Sequence, residues 1–260
     1  MVVDLKKKLE DIYSKYNKRE LVDPDPLVFL YNYKEKKDIE LVGLIASSLA
    51  YGRVAQIIKS VNNVLNKMGK NPHEYLISSN KKSLENEFIK FKHRFTTGEE
   101  LVSFLLATKS ILENYGSLQN CFLEKYKASD SNIIPSLKFF SNEMKKIMGS
   151  TPNSLLPDPE KNSACKRMNL YLKWMIRKDD VDLGVWNRIG TDKLIIPLDT
   201  HMYRFGTCAK WTKRKNADMR TAIEITEGFR KISPKDPTKY DFAITRFGIR
   251  SDMCWKELGF

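Results

Sequence analysis

The chain has 260 residues, enough for one large domain or two lobes around a substantial buried core. Its 45 Lys and Arg against 32 Asp and Glu give a formal charge of +13, which favours a polyanionic partner over an apolar one, although a basic proteome or simple solubility would also produce it. No apolar run approaches the ~20 residues of a membrane span, and Cys121, Cys165, Cys208 and Cys254 form no C-x-x-C pair, which argues against zinc and iron–sulfur binding.

The opening residues, Met1-Val-Val-Asp-Leu-Lys-Lys-Lys8, lack the apolar core of a signal peptide, so a cytoplasmic protein with reduced thiols is expected. Leu5, Leu9, Ile12 and Tyr13 recur at helical spacing, and Asp23-Pro-Asp-Pro26 ends that segment. Leu27 to Tyr33 is a short apolar-aromatic piece. Asp38 reads as the N-cap of a buried helix over 39–51, rich in Leu, Ile and Ala. Gly52 closes it or permits a tight turn. Val54 to Met68 is a second helix, with Ile57, Ile58, Val61, Val64 and Leu65 on one face. Shorter helices are expected over 73–78 and 82–90, before the basic-aromatic patch Phe91-Lys-His-Arg-Phe95. Further helices are expected over 98–114, 118–126 and 133–148.

Gly149-Ser-Thr-Pro-Asn-Ser154 and Leu156-Pro-Asp-Pro159 are dense in turn residues. They divide the chain into a mainly helical lobe over 1–150 and a second helical lobe over 151–260. The second half begins with a helix over 163–177. On it Met168, Tyr171, Leu172 and Met175 share one side, and Lys166, Lys173 and Arg177 the opposite stripe. That stripe is either a solvated basic face or a face laid against phosphates with one lysine drawn into a pocket. Helices over 217–232 and 237–247 complete an all-α reading with no alternating strand pattern.

Between them lies Leu194-Ile-Ile-Pro-Leu-Asp-Thr-His-Met-Tyr-Arg-Phe205. Asp199 precedes a helix-like segment over 200–208 and is well suited to cap it. The apolar run ahead of it draws the carboxylate into the protein, where it needs a partner.

Two stretches carry a family resemblance. Lys166-Arg-Met-Asn-Leu-Tyr-Leu172 resembles the K-T-A-N-V-V-L helix start of endonuclease III-like glycosylases, and Pro197-Leu-Asp-Thr-His-Met-Tyr-Arg204 resembles their V-D-T-H-V-x-R segment. The chain is thereby similar to the helix-hairpin-helix DNA glycosylase superfamily, and the arrangement fits a prokaryotic branch of it. The strong similarity covers about residues 160–206; the helices over 38–68 match the other lobe loosely. There are departures. Pro159 to Cys165 contains no glycine where the family has its hairpin, and the iron–sulfur cysteines are missing. Asp199 follows Lys166 by 33 positions, closer to the archaeal 8-oxoguanine glycosylases than to endonuclease III.

The resemblance implies a two-lobed helical fold with a cleft between the lobes, and a monomer that excises a damaged base from double-stranded DNA, with or without lyase activity. Lys166 takes the place of the family's catalytic lysine and Asp199 that of its aspartate. No metal or other cofactor is implied. Arg167, Lys173, Arg177, Lys210, Lys213, Arg214 and Lys215 are the candidate phosphate contacts. Tyr51, Arg53 and Gln56 are candidates to wedge into the duplex or read the base. Trp174 and Trp186 either stack on a base or pack a core. His201 either lines the base pocket or bonds locally. The alternatives are a non-catalytic nucleic-acid-binding protein of the same fold and a protein-interaction scaffold.

Overall fold

The computed structural model describes residues 2–149, 153–161, 163–250 and 253. In chain order the helices are α1 (Val2–Tyr16), α2 (Lys36–Ser48), α3 (Val54–Met68), α4 (Pro72–Ser78), α5 (Lys81–Phe88), α6 (Gly98–Tyr115), α7 (Leu118–Leu123) and α8 (Ile134–Met148). They continue as α9 (Lys166–Ile176), α10 (Thr200–Cys208), α11 (Met219–Arg230) and α12 (Asp241–Ile249). Short 3-10 stretches occur at Arg19–Leu21, Pro26–Asn32 and Thr191–Lys193. Among the described residues the sheet content is one antiparallel hairpin, β1 (Lys92–His93) with β2 (Thr96–Thr97), so the chain is mostly helical as expected. The hairpin escapes sequence reading because two-residue strands are too short for alternation to register.

The chain divides into two compact units, neither continuous in sequence: one comprises Met1–Asp23, Ala128–Ile133 and Pro159–Phe260, the other Pro24–Lys127 and Ile134–Asp158. This differs from the single junction after residue 150. Ser150, Thr151 and Pro152 of that junction lie outside the described residues. The reason α1 leaves the first half is polar as well as apolar. Glu10 accepts hydrogen bonds from Lys239 Nζ at 2.7 and 2.8 Å and from the Tyr240 hydroxyl at 2.7 Å. Tyr16 packs edge-on against Phe247 of α12.

In the unit of residues 24–127 and 134–158, α2 is buried from Asp38 through Ser48. The 3-10 stretch Pro26–Asn32, α3 and α4 surround it. The helix begins at Lys36, ahead of Asp38. Asp38 instead accepts from the backbone N–H of His73 at 2.9 Å, satisfying a first-turn donor of α4. The second layer is α6 against α5, α7 and α8. Thr97 and Glu100 cap α6 reciprocally, each side chain accepting from the other's backbone N–H. Gly98 is needed there because a Cβ would lie 2.2 Å from the Phe88 carbonyl oxygen.

In the other unit, α9 to α12 and α1 enclose an aromatic-rich core of Tyr171, Trp174, Trp186, Phe205, Phe229 and Tyr240. Leu194, Ile195 and Ile196 run extended through it and are fully buried. Thr226 Oγ1 accepts the Ile196 N–H at 3.0 Å, so the buried backbone is not left unsatisfied.

Candidate functional site

The apolar run carries the chain out of the core at Asp199, which is partly exposed. As the N-cap of α10, its Oδ1 accepts from the N–H groups of His201 at 2.9 Å and Met202 at 2.8 Å. Both bonds use one oxygen. Among the described residues no hydrogen bond engages Oδ2. The carboxylate is therefore fixed by the helix end while half of it stays open for other work.

Lys166 is the first residue of α9, in the same unit as Asp199, and is also partly exposed. The helix starts here rather than at Ser163 because Cys165 takes the left-handed conformation, with φ of 47° and ψ of 36°. That geometry normally falls to glycine and is strained for a side chain. So the glycine-free entry to α9 still makes a glycine-like turn, with Cys165 buried beneath it. One turn on, Asn169 donates through Nδ2 to the Ala164 carbonyl at 3.0 Å and ties the turn to the helix.

The structure corrects the basic stripe on α9. Lys173 and Arg177 are 1% and 3% exposed, and neither offers its charge to a phosphate surface. Lys173 Nζ sits 3.2 Å from Asp182 and 3.4 Å from Asp241. Arg177 pairs with Asp179, with Asp182 at 2.8 Å and with Asp236 at 2.7 Å. It also donates to the Tyr13 hydroxyl at 3.1 Å, and that hydroxyl donates to Asp179 at 2.9 Å. Asn17 donates to the same carboxylate at 2.6 Å. From Tyr171 to Ile176 both faces of α9 are thus buried, one by apolar packing and one by carboxylates, Asp179 and Asp182 from just after the helix and Asp236 and Asp241 from far along the chain. Trp174 is 1% exposed and Trp186 likewise, so both pack the core rather than stack on a base.

The cluster sets four carboxylates, Asp182 and Asp241 buried and Asp179 and Asp236 partly exposed, against two buried cations. Burial alone would lower the Lys173 pKa, but Asp182 and Asp241 outweigh it and hold the ammonium above its ordinary value. Burial pushes the Asp241 carboxyl up to about 6, with Lys173 pulling against it and Asp199 and Asp182 adding to it. Asp179 goes the other way, down to about 2, because Arg177 and two backbone N–H groups outweigh its burial. Burial also raises the Tyr13 hydroxyl to about 12.

The remaining candidates are dispersed. His201 lies against α12, where a Cβ on Gly248 would come within 2.0 Å of its Nδ1. Lys210, Lys213 and Lys215 are exposed on the loop between α10 and α11 and pair with no carboxylate among the described residues. That loop is at the far end of α10 from Asp199, about 12 Å along the axis. Arg214 belongs to the loop's own structure: it pairs with Asp218 at 2.5 Å and donates to Thr221 at 3.0 Å. Arg167 is partly exposed. Tyr51, Arg53 and Gln56 lie in the other unit, at the turn between α2 and α3 and the start of α3, Arg53 and Gln56 both exposed.

Among the described residues no three His, Cys, Asp or Glu side chains are grouped as metal ligands. Also among them, no helix is long and apolar enough to cross a membrane. The sequence signal that sequence reasoning passed over was the acidic run Asp179-Asp-Val-Asp182 after α9, which supplies partners to the buried cations.

A family model described as "Protein of unknown function (DUF2400)" matches residues 25–250. No curated protein and no solved structure matches the chain.

Proposed function

The chain belongs to the DUF2400 family, and for this member of it we propose a DNA glycosylase that excises a damaged base, with Asp199 and Lys166 as its working side chains. The observation that carries the reading is the Asp199 carboxylate, clamped through Oδ1 at a helix start, with Oδ2 unengaged among the described residues. Breaking an N-glycosidic bond builds positive charge on the sugar, as in glycoside hydrolysis. A carboxylate already fixed in place stabilises that charge without reorganising. The reading also calls for a cleft beside Asp199 that admits a base taken out of the stack.

Lys166 is the nucleophile in this reading. Its neutral amine attacks the sugar carbon, and the base leaves with the electron pair of the broken bond and gains a proton. Loss of the amine proton and opening of the ring leave an imine between lysine and sugar. Exposed Lys210, Lys213 and Lys215 hold the phosphate backbone. Lys173, Arg177, Trp174 and Trp186 take no part in contacting DNA.

Borohydride trapping against a panel of lesion-containing duplexes tests the proposal, since it reduces the imine to a stable cross-link. The parent is expected to trap on at least one lesion and Lys166→Gln on none, with DNA binding retained. Base release without trapping would make water the nucleophile and leave Asp199 as the essential group. If Lys166→Gln and Asp199→Asn both release base as fast as the parent, the proposal is wrong.

A further inference from the structure

The β1–β2 hairpin carries the basic-aromatic patch that the excision site does not use. Phe95 is 64% exposed, the highest value among the exposed large hydrophobic residues that the structure describes. A lone exposed aromatic ring is ordinary on a protein surface. What sets this one apart is how it is mounted. Its ring stacks on Tyr51 with centroids 5.0 Å apart and planes at 27°. Tyr51 is itself locked: its hydroxyl donates to the His93 carbonyl at 2.9 Å and bonds Thr96 Oγ1, while His93, fully buried, packs edge-on at 4.6 Å. Thr96 Oγ1 is in turn 2.5 Å from Ser154 Oγ.

Arg94, between them, adopts φ of 54°, a left-handed conformation strained for arginine. It sets the guanidinium 5.9 Å from the Tyr51 ring centroid and 6.0 Å from that of Phe95. Gly52, at φ of 96°, leaves room for it: a Cβ there would lie 2.7 Å from Arg94 Cδ. Arg53, which follows Gly52, and Lys90, Lys92 and Arg94, which precede Phe95 in the chain, are all exposed and pair with no carboxylate among the described residues. The fold thus holds one flat ring rigidly in water, under strain, with four unneutralised cations close by in the chain.

We propose that the Tyr51–Arg94–Phe95 tip is a stacking platform for an unpaired nucleobase, with these cations on the flanking phosphates of a single-stranded nucleic acid segment. Every base has a flat face to stack, so the platform is indifferent to sequence. A lipid surface fits less well, because one ring is little apolar area to insert. The platform needs neither Lys166 nor Asp199, so its failure leaves the excision reading intact, and the reverse holds too.

The test is the affinity of the full chain for a short single-stranded thymidine oligomer and for the same backbone made wholly abasic. Phe95→Ala is expected to weaken thymidine-oligomer binding about tenfold or more and to leave abasic binding unchanged. Phe95→Trp should preserve binding, with its indole fluorescence quenched by the bases. Arg94→Gln should weaken both. Equal loss on the two oligomers, no loss with Phe95→Ala, or a parent that binds neither would overturn the platform. So would a parent that prefers anionic phospholipid vesicles to the oligomer and loses that preference in Phe95→Ala. Because Phe95 is mostly in solvent, these variants are expected to keep the parent's unfolding transition, which is measured alongside.

Discussion

Replacing Lys173 with methionine separates a structural cation from a DNA-contacting one. Methionine approximates the lysine stem, so the apolar packing along α9 survives. What is removed is the ammonium that lies 3.2 Å from Asp182 and 3.4 Å from Asp241. Both carboxyls stay buried, and among the described residues Asp241 has no second cation within ion-pair distance. Removing one partner of a buried ion pair costs about 3–5 kcal/mol. Against a total stability of about 5–15 kcal/mol, that is a large fraction. Urea unfolding at neutral pH should show the midpoint falling with the slope unchanged. The pH dependence sharpens the test. The folded-state pKa of Asp241 is raised to about 6 even with Lys173 present, so the folded form takes up a proton before the unfolded form does. Stability from that proton is full below the unfolded value near 3.8 and is lost as pH rises through the folded value. Without the ammonium the folded value should climb further. The deficit of Lys173→Met should therefore shrink between pH 7 and pH 5, a window that lies above the range where Asp179, at about 2, begins to lose its own contribution. A loss below about 1 kcal/mol at pH 7, or a deficit that grows on acidification, would refute the reasoning. So would a well-folded variant whose DNA affinity alone has dropped.

Asp199→Asn keeps an oxygen for the N–H groups of His201 and Met202 and should leave stability nearly unchanged, whereas Asp199→Ala should cost about 1 kcal/mol of cap energy in thermal unfolding. If Asp199 stabilises the charged sugar, the Asn variant should slow base release by about 10²–10³, measured in single turnover; a folded Asn variant of parental rate removes Asp199 from the chemistry. Duplex affinity should fall steeply with salt, and changing Lys210, Lys213 and Lys215 together to glutamine should reduce the log–log slope by about 0.9 for each phosphate that is no longer neutralised. An unchanged slope in that triple variant would mean the loop does not touch DNA.

Local rules carried much of the fold. The helical periods of α3, α6, α8 and α11 arise from neighbours three and four residues apart, so their spacing showed in the chain itself. The cap at Asp199 was equally legible, because capping depends on the next few backbone N–H groups. The turn entering α9 was half legible: the missing glycine was visible, but not that Cys165 would adopt the glycine-like conformation anyway. Three things needed the tertiary structure. Lys173 and Arg177 have the pattern of a solvated face, yet Asp236, Asp241, Tyr13 and Asn17 reach them from far along the chain and make burial tolerable. Asp38 has the look of a cap for its own helix, yet it serves α4, because packing sets His73 beside it. Phe95 has the composition of either a core or a surface residue, and the stacking of Tyr51 on the hairpin decided it. In each case the deciding partner is distant in sequence. Charge and periodicity determine what a segment can become; whether a cation meets water or a carboxylate depends on which remote segment the fold brings against it.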